Sequence, residues 1–171
     1  MIVIAPDARI SPLADIEDST RGTRIEIGSR AVVDAFVKIK PAGGTGDLII
    51  GPETTINSGC VFYTGNGIRI GRGCAIAANC TFAPVNHAYQ RRDLTIREQR
   101  FGPSKGGIFV GDDVWIGANC VLLDGAEVPD GCVIGAGSLV RGKLEAYGIY
   151  AGNPLTKRGE RTFPSEGSAH G

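Results

Sequence analysis

The sequence predicts an all-β solenoid in which short strands stack into a parallel β-helix. Apolar residues recur every six positions, a small or β-branched residue follows most of them four positions later, and glycine is abundant at 26 residues. The clearest series is Val110, Ile116, Leu122, Val128, Ile134 and Val140. A period of six fits neither an amphipathic helix nor one long alternating strand. It fits short strands joined by tight turns, which bury their apolar residues only when neighbouring units stack.

The same register runs through four earlier blocks of the chain. Their large inward residues are Ile4, Ile10, Ile16; Ile27, Val33, Ile39; Ile50, Ile56, Phe62; and Ile70, Ile76, Phe82. The small inward position, four residues further on, is expected to hold Thr20 after Ile16, Gly43 after Ile39 and Asn86 after Phe82. Almost the whole chain is therefore predicted to belong to one stack.

All five cysteines occupy the small inward position of a hexad: Cys60, Cys74, Cys80, Cys120 and Cys132. A free cysteine behaves as a small buried hydrophobic residue, and no pair has the close spacing of a zinc site. We therefore expect core cysteines, with neither a catalytic thiol nor a metal centre.

The hexad register slips in four places, at residues 21–26, 43–47, 68–69 and 88–107. The first three breaks are typical of surface turns. The fourth is a polar segment of about twenty residues, and loops of that length inside a compact domain are uncommon unless they are functional or disordered. A tolerated insertion is the alternative.

Composition narrows the class of protein. The chain of 171 residues suits one domain, with coils over about 4–87 and 108–140, a protruding loop at 88–107, a C-terminal extension at 141–163 and a flexible tail at 164–171 that contains His170. A formal net charge of zero argues against a nucleic-acid partner. The absence of a long apolar run or a signal-peptide pattern predicts no membrane insertion and a cytoplasmic location.

His87 is the candidate catalytic residue, because it ends the hexad that begins at Phe82 and directly precedes the long loop. A rigid corner holds a functional group well, and an imidazole titrates near neutral pH, as a general base requires. The alternative is a structural histidine. Asp93, Glu98 or a backbone carbonyl could orient the ring.

A family resemblance rests on ordered motifs that follow the hexads. Asn86-His87, the long loop, "DDVWIGA" from Asp112 and "GNP" from Gly152 together resemble the O-acetyltransferase branch of the hexapeptide-repeat acyltransferases, which includes galactoside, maltose and polysaccharide acetyltransferases. The resemblance implies a left-handed parallel β-helix, a homotrimer and acetyl-CoA as donor. It also implies that His87 takes the proton of an acceptor hydroxyl on a sugar or glycan precursor.

The same resemblance assigns the other site residues. Asn57 and Asn86 are expected on the acceptor side, and the coenzyme is expected to contact Trp115, Ala118, Ala136, Asn153, Lys157 and Arg158. The chain departs from the family pattern at Leu155, where alanine is usual, and at Gly159, which would interrupt the helix that often follows. Both changes concern the geometry of the C-terminal segment.

Two other functions remain open at this point. N-acetylation of an amino sugar or nucleotide sugar would use the same base, and a non-catalytic β-helical scaffold would need only the hexads. A zinc-dependent carbonic anhydrase on the same fold requires three histidines, and the chain has two.

Overall fold

Short strands form three flat sheets in the computed structural model of the protein, which describes residues 1–164. Sheet A contains β1 (Ile2–Ile4), β4 (Ile25–Ile27), β7 (Leu48–Ile50), β10 (Ile68–Ile70), β13 (Ile108–Val110) and β16 (Glu127–Val128). Sheet B contains β2 (Arg9–Ile10), β5 (Val32–Val33), β8 (Thr55–Ile56), β11 (Ala75–Ile76), β14 (Trp115–Ile116), β17 (Val133–Ile134), β19 (Gly148–Ala151) and β20 (Thr156–Glu160). Sheet C contains β3 (Asp15–Ile16), β6 (Lys38–Lys40), β9 (Val61–Tyr63), β12 (Thr81–Ala83), β15 (Val121–Leu123) and β18 (Leu139–Val140).

The chain visits sheets A, B and C in turn, so that each circuit forms one coil of a three-sided helix. Successive coils pair in parallel and in register, as in Ile76 with Ile116 and Phe82 with Leu122. Like residues therefore stack directly above one another at the spacing of parallel strands, about 4.8 Å. The predicted all-β parallel β-helix is confirmed.

Two of the three corners are regular. We call the corners AB, BC and CA after the sheets that they join. Each BC connection between sheet B and sheet C has four residues, and in most coils the third has a positive φ, as at Asn79 (60°), Asn119 (59°) and Gly137 (71°). Corner AB repeats the pattern, with Arg30 (55°) and Asp113 (54°) among its positive-φ residues. The repeated turn keeps the inward register of the strands intact.

The predicted inward residues form one continuous core. Ile116, Leu122 and Ile134 are fully buried, as are the small inward residues Cys120 and Ala126. Stacked phenyl rings extend the column, since the rings of Phe62 and Phe82 lie 4.6 Å apart between centroids. The narrow interior explains why one inward position in each hexad takes a small side chain.

The prediction of burial is wrong at the first coil and at corner CA. Ile4 is 40% exposed, because the first coil has a neighbouring coil on one side only within the described residues. Thr20 and Asn86 are exposed and Gly43 is half-buried, because the chain leaves the stack at this corner before it reaches the expected inward position.

The predicted breaks at residues 43–47 and 88–107, and most of the break at 21–26, fall at corner CA. The break predicted at residues 68–69 is wrong, because Ile68 and Arg69 belong to β10 and the irregular connection is 64–67. The connections at corner CA run over residues 17–24, 41–47, 64–67, 84–107 and 124–126, and the longest contains the helix α1 (Ile96–Gln99). An insertion at this corner precedes the first strand of the next coil, so the pairing within each sheet continues undisturbed.

After β18 the chain crosses to sheet B, where β19 stacks on β17 in parallel. It reverses at Asn153 and Pro154, and β20 then pairs with β19 in antiparallel orientation. The segment around Gly159 is thus a strand, where the family pattern would place a helix. Residues 165–171, which include His170 and most of the tail expected at 164–171, lie outside the described residues.

Candidate active site

His87 lies at corner CA, where the chain leaves sheet C after β12. Its Nδ1 lies 3.1 Å from the backbone oxygen of Arg100. A carbonyl oxygen only accepts hydrogen bonds, so this contact places the proton on Nδ1 and leaves the lone pair on Nε2. The imidazole ring also packs against the ring of Phe101, with 5.1 Å between centroids. The arrangement favours one tautomer of the imidazole and fixes the orientation of its ring.

The two ends of the long loop pair with each other. His87 and Phe101 form an antiparallel bridge, Ala88 N donates to Arg100 O at 3.0 Å, and Gly102 N donates to Asn86 O at 2.8 Å. A short antiparallel ladder therefore carries the loop away from the stack. The same ladder presents the Arg100 carbonyl to His87.

The loop carboxylates that could have oriented His87 are engaged elsewhere. Asp93 pairs with Arg91, which lowers the pKa of the Asp93 carboxyl. Glu98 forms a capping box with Thr95 at the start of α1, and the hydrogen bonds from the Thr95 side chain and backbone lower the pKa of Glu98. The backbone carbonyl of Arg100 is therefore the group that orients the ring.

Asp124 also belongs to the site, and the sequence gives no reason to single it out. It directly follows β15, is only 5% exposed, and accepts a hydrogen bond from Asn86 Nδ2 at 2.6 Å. Its second oxygen accepts from the backbone N–H of Lys105 at 2.8 Å. An acidic residue after Leu122 and Leu123 looks like an ordinary turn residue until the loop is folded over it.

A cavity of about 470 Å³ opens at this corner. Its walls include His87, Tyr89, Lys105, Asp124 and Arg141. Lys105 and Arg141 outnumber the carboxylate of Asp124 among the charged wall residues, so the cavity has a net positive character. It can admit a polar or anionic acceptor next to the imidazole.

Corner BC carries a different set of the predicted site residues. Asn57, Ala118 and Ala136 each begin or continue a turn at this corner, in the third, fifth and sixth coils. A Cβ at Gly117 would lie only 2.5 Å from the backbone N of Ala136, so glycine is required for this close stacking. The result is a smooth wall of backbone and small side chains.

The structure also defines the surroundings of Asn57 and Trp115, two of the predicted contact residues. The amide of Asn57 donates to Ile76 O at 2.8 Å, as part of the stacking ladder. Trp115 is 54% exposed on the outer face of sheet B, in register between Ala75 and Val133. Its indole is available to a ligand or another subunit.

The C-terminal candidates lie beside corner BC on the last strands. Asn153 is exposed in the reversal before β20, and Arg158 is the exposed residue at the register shift between β19 and β20. Lys157 contacts Glu145 and Glu160, which raise the pKa of its ammonium above the usual range. Lys157 is thus already paired with two carboxylates. A coenzyme phosphate would therefore have to compete with them for its ammonium group.

One chain does not bring the predicted residues together. His87 and Asn86 lie at corner CA, while Asn57, Ala118 and Ala136 lie at corner BC of the same three-sided helix.

The cysteines do not contribute to the candidate site, since all five are buried and burial raises the pKa of the Cys74 and Cys132 thiols. Residues 1–164 contain no cluster of three potential metal ligands. In that range no helix has the length and apolarity to cross a bilayer.

Comparison with known proteins agrees with this architecture. The "bacterial transferase hexapeptide (six repeats)" family matches residues 107–142, and the "hexapeptide repeat of succinyl-transferase" family matches residues 48–81. The chain is 36% identical over 107 residues to a probable macrolide acetyltransferase of Lysinibacillus sphaericus, covering 54% of this chain and 59% of the relative. It is 26% identical over 169 residues to a probable acetyltransferase of Mycobacterium tuberculosis, covering 99% of this chain and 53% of the relative.

Solved structures extend the likeness to the whole fold. AntD, an N-acyltransferase from Bacillus cereus in complex with dTDP and 3-hydroxybutyryl-CoA, has a TM-score of 0.77 at 22% identity, covering 94% of this chain and 83% of that chain. A maltose O-acetyltransferase from Clostridium difficile has a TM-score of 0.66 at 24% identity, covering 83% of this chain and 71% of that chain. The chain spans between 53% and 59% of the length of the first two curated relatives.

Fold and sequence together define the class: a left-handed parallel β-helix built from hexapeptide repeats. Residues 48–81 and 107–142 match the hexapeptide repeats of transferases, and the two curated relatives described above are named as probable acetyltransferases.

Proposed function

We propose that the protein is an acetyl-CoA-dependent O-acetyltransferase, which transfers an acetyl group to a hydroxyl of a sugar or glycan precursor. The observation that carries this proposal is the contact between His87 Nδ1 and Arg100 O at the wall of the cavity, from which we infer that Nε2 is the basic nitrogen. Both curated relatives described above are named as probable acetyltransferases, which supports the choice of reaction.

The proposed reaction needs only the general base His87 and the thioester of acetyl-CoA. Nε2 of His87 takes the proton of the acceptor hydroxyl while the oxygen attacks the thioester carbonyl carbon. The carbon–sulfur bond then breaks, and the imidazolium returns the proton to the thiolate of CoA. No covalent enzyme intermediate is needed, because the thioester already carries a good leaving group.

The donor is proposed to lie along corner BC of a neighbouring subunit. Ala118 and Ala136 leave room there for the pantetheine arm, with Trp115 beside it and Asn153, Lys157 and Arg158 towards the nucleotide. His87 lies at another corner of its own chain, so a second copy would have to supply this wall. A homotrimer, in which each subunit presents corner CA to corner BC of the next, would complete three equivalent sites and bring Asn57 towards the acceptor.

One observation favours a second acceptor class. Lys105 and Arg141 line the cavity beside His87, and cations there suit the pyrophosphate of a nucleotide sugar. N-acetylation of a nucleotide-linked amino sugar is therefore the second candidate. The AntD structures, which contain dTDP or a dTDP-amino sugar, have the same fold.

The test is turnover of acetyl-CoA by wild-type protein and by His87→Ala, with neutral sugars, amino sugars and nucleotide sugars as acceptors. Loss of a general base lowers kcat by about 10²- to 10⁴-fold, while CoA affinity and the thermal midpoint stay unchanged. His170→Ala, which removes the only other histidine of the chain, is the matched control and keeps full turnover. A His87→Ala protein with wild-type kcat would show that His87 is not the base. Absence of turnover with every acceptor, together with no CoA binding, would favour the scaffold.

A further inference from the structure

The loop is attached to the stack at both ends by one buried carboxylate. Asp124, 5% exposed, accepts from the side-chain amide of Asn86 at 2.6 Å and from the backbone N–H of Lys105 at 2.8 Å. Asn86 is the last residue before His87, and Lys105 is two residues before the stack resumes at Gly107 and Ile108. Asp124 therefore joins the point where the chain leaves the stack to the point where it returns.

The contact requires a side chain at position 124 that accepts a hydrogen bond at each of its two ends. Each carboxylate oxygen of Asp124 faces one N–H donor, and a carboxylate is an acceptor at both oxygens. An alanine at position 124 would remove both acceptor oxygens and leave the Asn86 amide and the Lys105 N–H without this partner. A buried donor left without an acceptor costs about 1–3 kcal/mol, so the loop ends would separate.

We infer that Asp124 is a positioning residue for His87: it holds the two ends of the 88–107 loop together and so fixes the base and the acceptor cavity. It does not act on the substrate directly. The kinetic part of this inference rests on the proposed function of His87. Its mechanical part, the attachment of the loop, does not depend on any activity.

The experiment exchanges the donor and the acceptor. Asp124→Ala removes both acceptor oxygens, and Asn86→Asp opposes two carboxylates, so each single variant breaks the contact between positions 86 and 124. The double variant N86D/D124N restores it, because the new amide at position 124 can donate to the new carboxylate at position 86 and still accept from Lys105 N. The double variant also keeps the net charge of the wild type, so a change of charge does not account for its recovery.

The first readout is tryptic cleavage within the loop, which contains Arg91, Arg92, Arg97 and Arg100. Cleavage is expected to be about tenfold faster in each single variant, because a loss of about 1.4 kcal/mol raises the opened population tenfold, and the double variant regains resistance. The control Asp47→Asn alters another corner CA aspartate, whose Oδ1 accepts from Arg24 N at 2.8 Å. It leaves the rate of loop cleavage unchanged.

The second readout is a split between kinetic constants. Asp124→Ala is expected to lower kcat about tenfold, with an unchanged KM for acetyl-CoA, and the double variant recovers at least part of the loss. Wild-type cleavage and kcat in Asp124→Ala would overturn the inference, as would a double variant that is cleaved as fast as the single ones. If the wild-type protein transfers no acetyl group, the proposed function fails, whereas the cleavage experiment still decides the role of Asp124.

Discussion

Corners BC and CA of the same β-helix follow opposite rules. Every connection at corner BC has four residues, with a positive φ at the third position in most coils. The connections at corner CA range from three residues, 124–126, to twenty-four, 84–107. Both corners join strands of the same coils, so the difference lies in the connections.

Buried hydroxyl groups show the same contrast. At the regular corner AB, the hydroxyl of Thr54 donates to Gly71 O at 2.7 Å and accepts from Cys74 N at 3.0 Å. At corner CA, the buried hydroxyls of Thr23 and Thr64 have no hydrogen-bond partner within residues 1–164. Regular turns satisfy their polar groups, and irregular connections leave some without a partner.

The contrast shows where this fold can change its chemistry. Turns at corners AB and BC are stacked on their neighbours, so an extra residue there would shift the inward register of the following strand. Corner CA has accepted segments of different lengths without such a shift, and it carries His87, Asp124 and the loop. Under the proposed function, the regular corner supplies a uniform wall for the donor and the variable corner supplies the base and the acceptor cavity.

Among the variants that compare the corners, the largest effect is expected from placing a charge on corner BC. Ala118→Glu would put a carboxylate against the proposed path of the pantetheine arm and near the phosphates of CoA. We expect CoA affinity to fall by about 100-fold or more, because an unpaired buried charge costs several kcal/mol and each 1.4 kcal/mol is tenfold. Isothermal titration calorimetry with CoA measures it.

The matched control for that change is Ala35→Glu. Ala35 occupies the same turn position at corner BC in the second coil, at the other end of the stack. It is half-buried, like Ala118. Affinity for CoA should remain at the wild-type value in this variant. Equal affinities in both variants would mean that the donor does not lie along corner BC at the fifth coil.

The sequence was sufficient to predict the stack because its signal is repeated. Residues such as Ile116 and Cys120 recur with a fixed spacing, and a coil can bury them only against an equivalent coil. The prediction erred where that condition fails. Ile4 has a coil on one side only, and Asn86 belongs to a hexad that the chain leaves before completing it.

The site was only partly predictable, because its contacts join residues that are far apart in sequence. His87 stood out by its position before the loop, yet its partner is the backbone oxygen of Arg100, which no residue type reveals. Asp124 lies 38 positions from Asn86, and only the folded loop makes its carboxylate a buried acceptor. Pairing of Lys157 with Glu145 likewise depends on the antiparallel course of β20.

The second-largest effect tests whether the long loop at corner CA can be shortened without disturbing the stacked coils. Replacing residues 89–99 by Asn-Gly would close the ladder between Ala88 and Arg100 with a two-residue hairpin turn, which Asn-Gly favours. None of the removed residues is buried, and the carbonyl of Arg100 stays next to His87. We expect a thermal midpoint within a few degrees of wild type and an unchanged affinity for CoA.

The variant with the shortened loop should bind the acceptor more weakly. Tyr89 and Gln90, two wall residues of the cavity, are lost with the loop, so the KM for the acceptor is expected to rise about tenfold, or about 1.4 kcal/mol. Steady-state kinetics with acetyl-CoA at saturation measure this change. An unfolded variant would show that the loop is part of the stack, and an unchanged acceptor KM would remove it from the acceptor site.

The smallest effect compares two buried threonines by the same substitution. Thr54→Val deletes a hydroxyl with two partners, and the unfolding free energy should fall by about 1–3 kcal/mol, because Gly71 O and Cys74 N lose their contacts. Thr64→Val deletes a hydroxyl without a partner within residues 1–164. The change removes the cost of burying an unpaired polar group, so stability should stay equal or rise by about 1 kcal/mol.

Urea unfolding measures the change in unfolding free energy of each variant relative to wild type. All proteins are compared at one concentration, so that association contributes equally. Opposite signs, or a clear loss for Thr54→Val alone, would support the contrast between regular and irregular corners in energetic terms. An equal loss in both variants would mean that the Thr64 hydroxyl finds a partner in solution. Corner CA would then differ from the other corners in the length of its connections, while its buried polar groups would be as well satisfied as theirs.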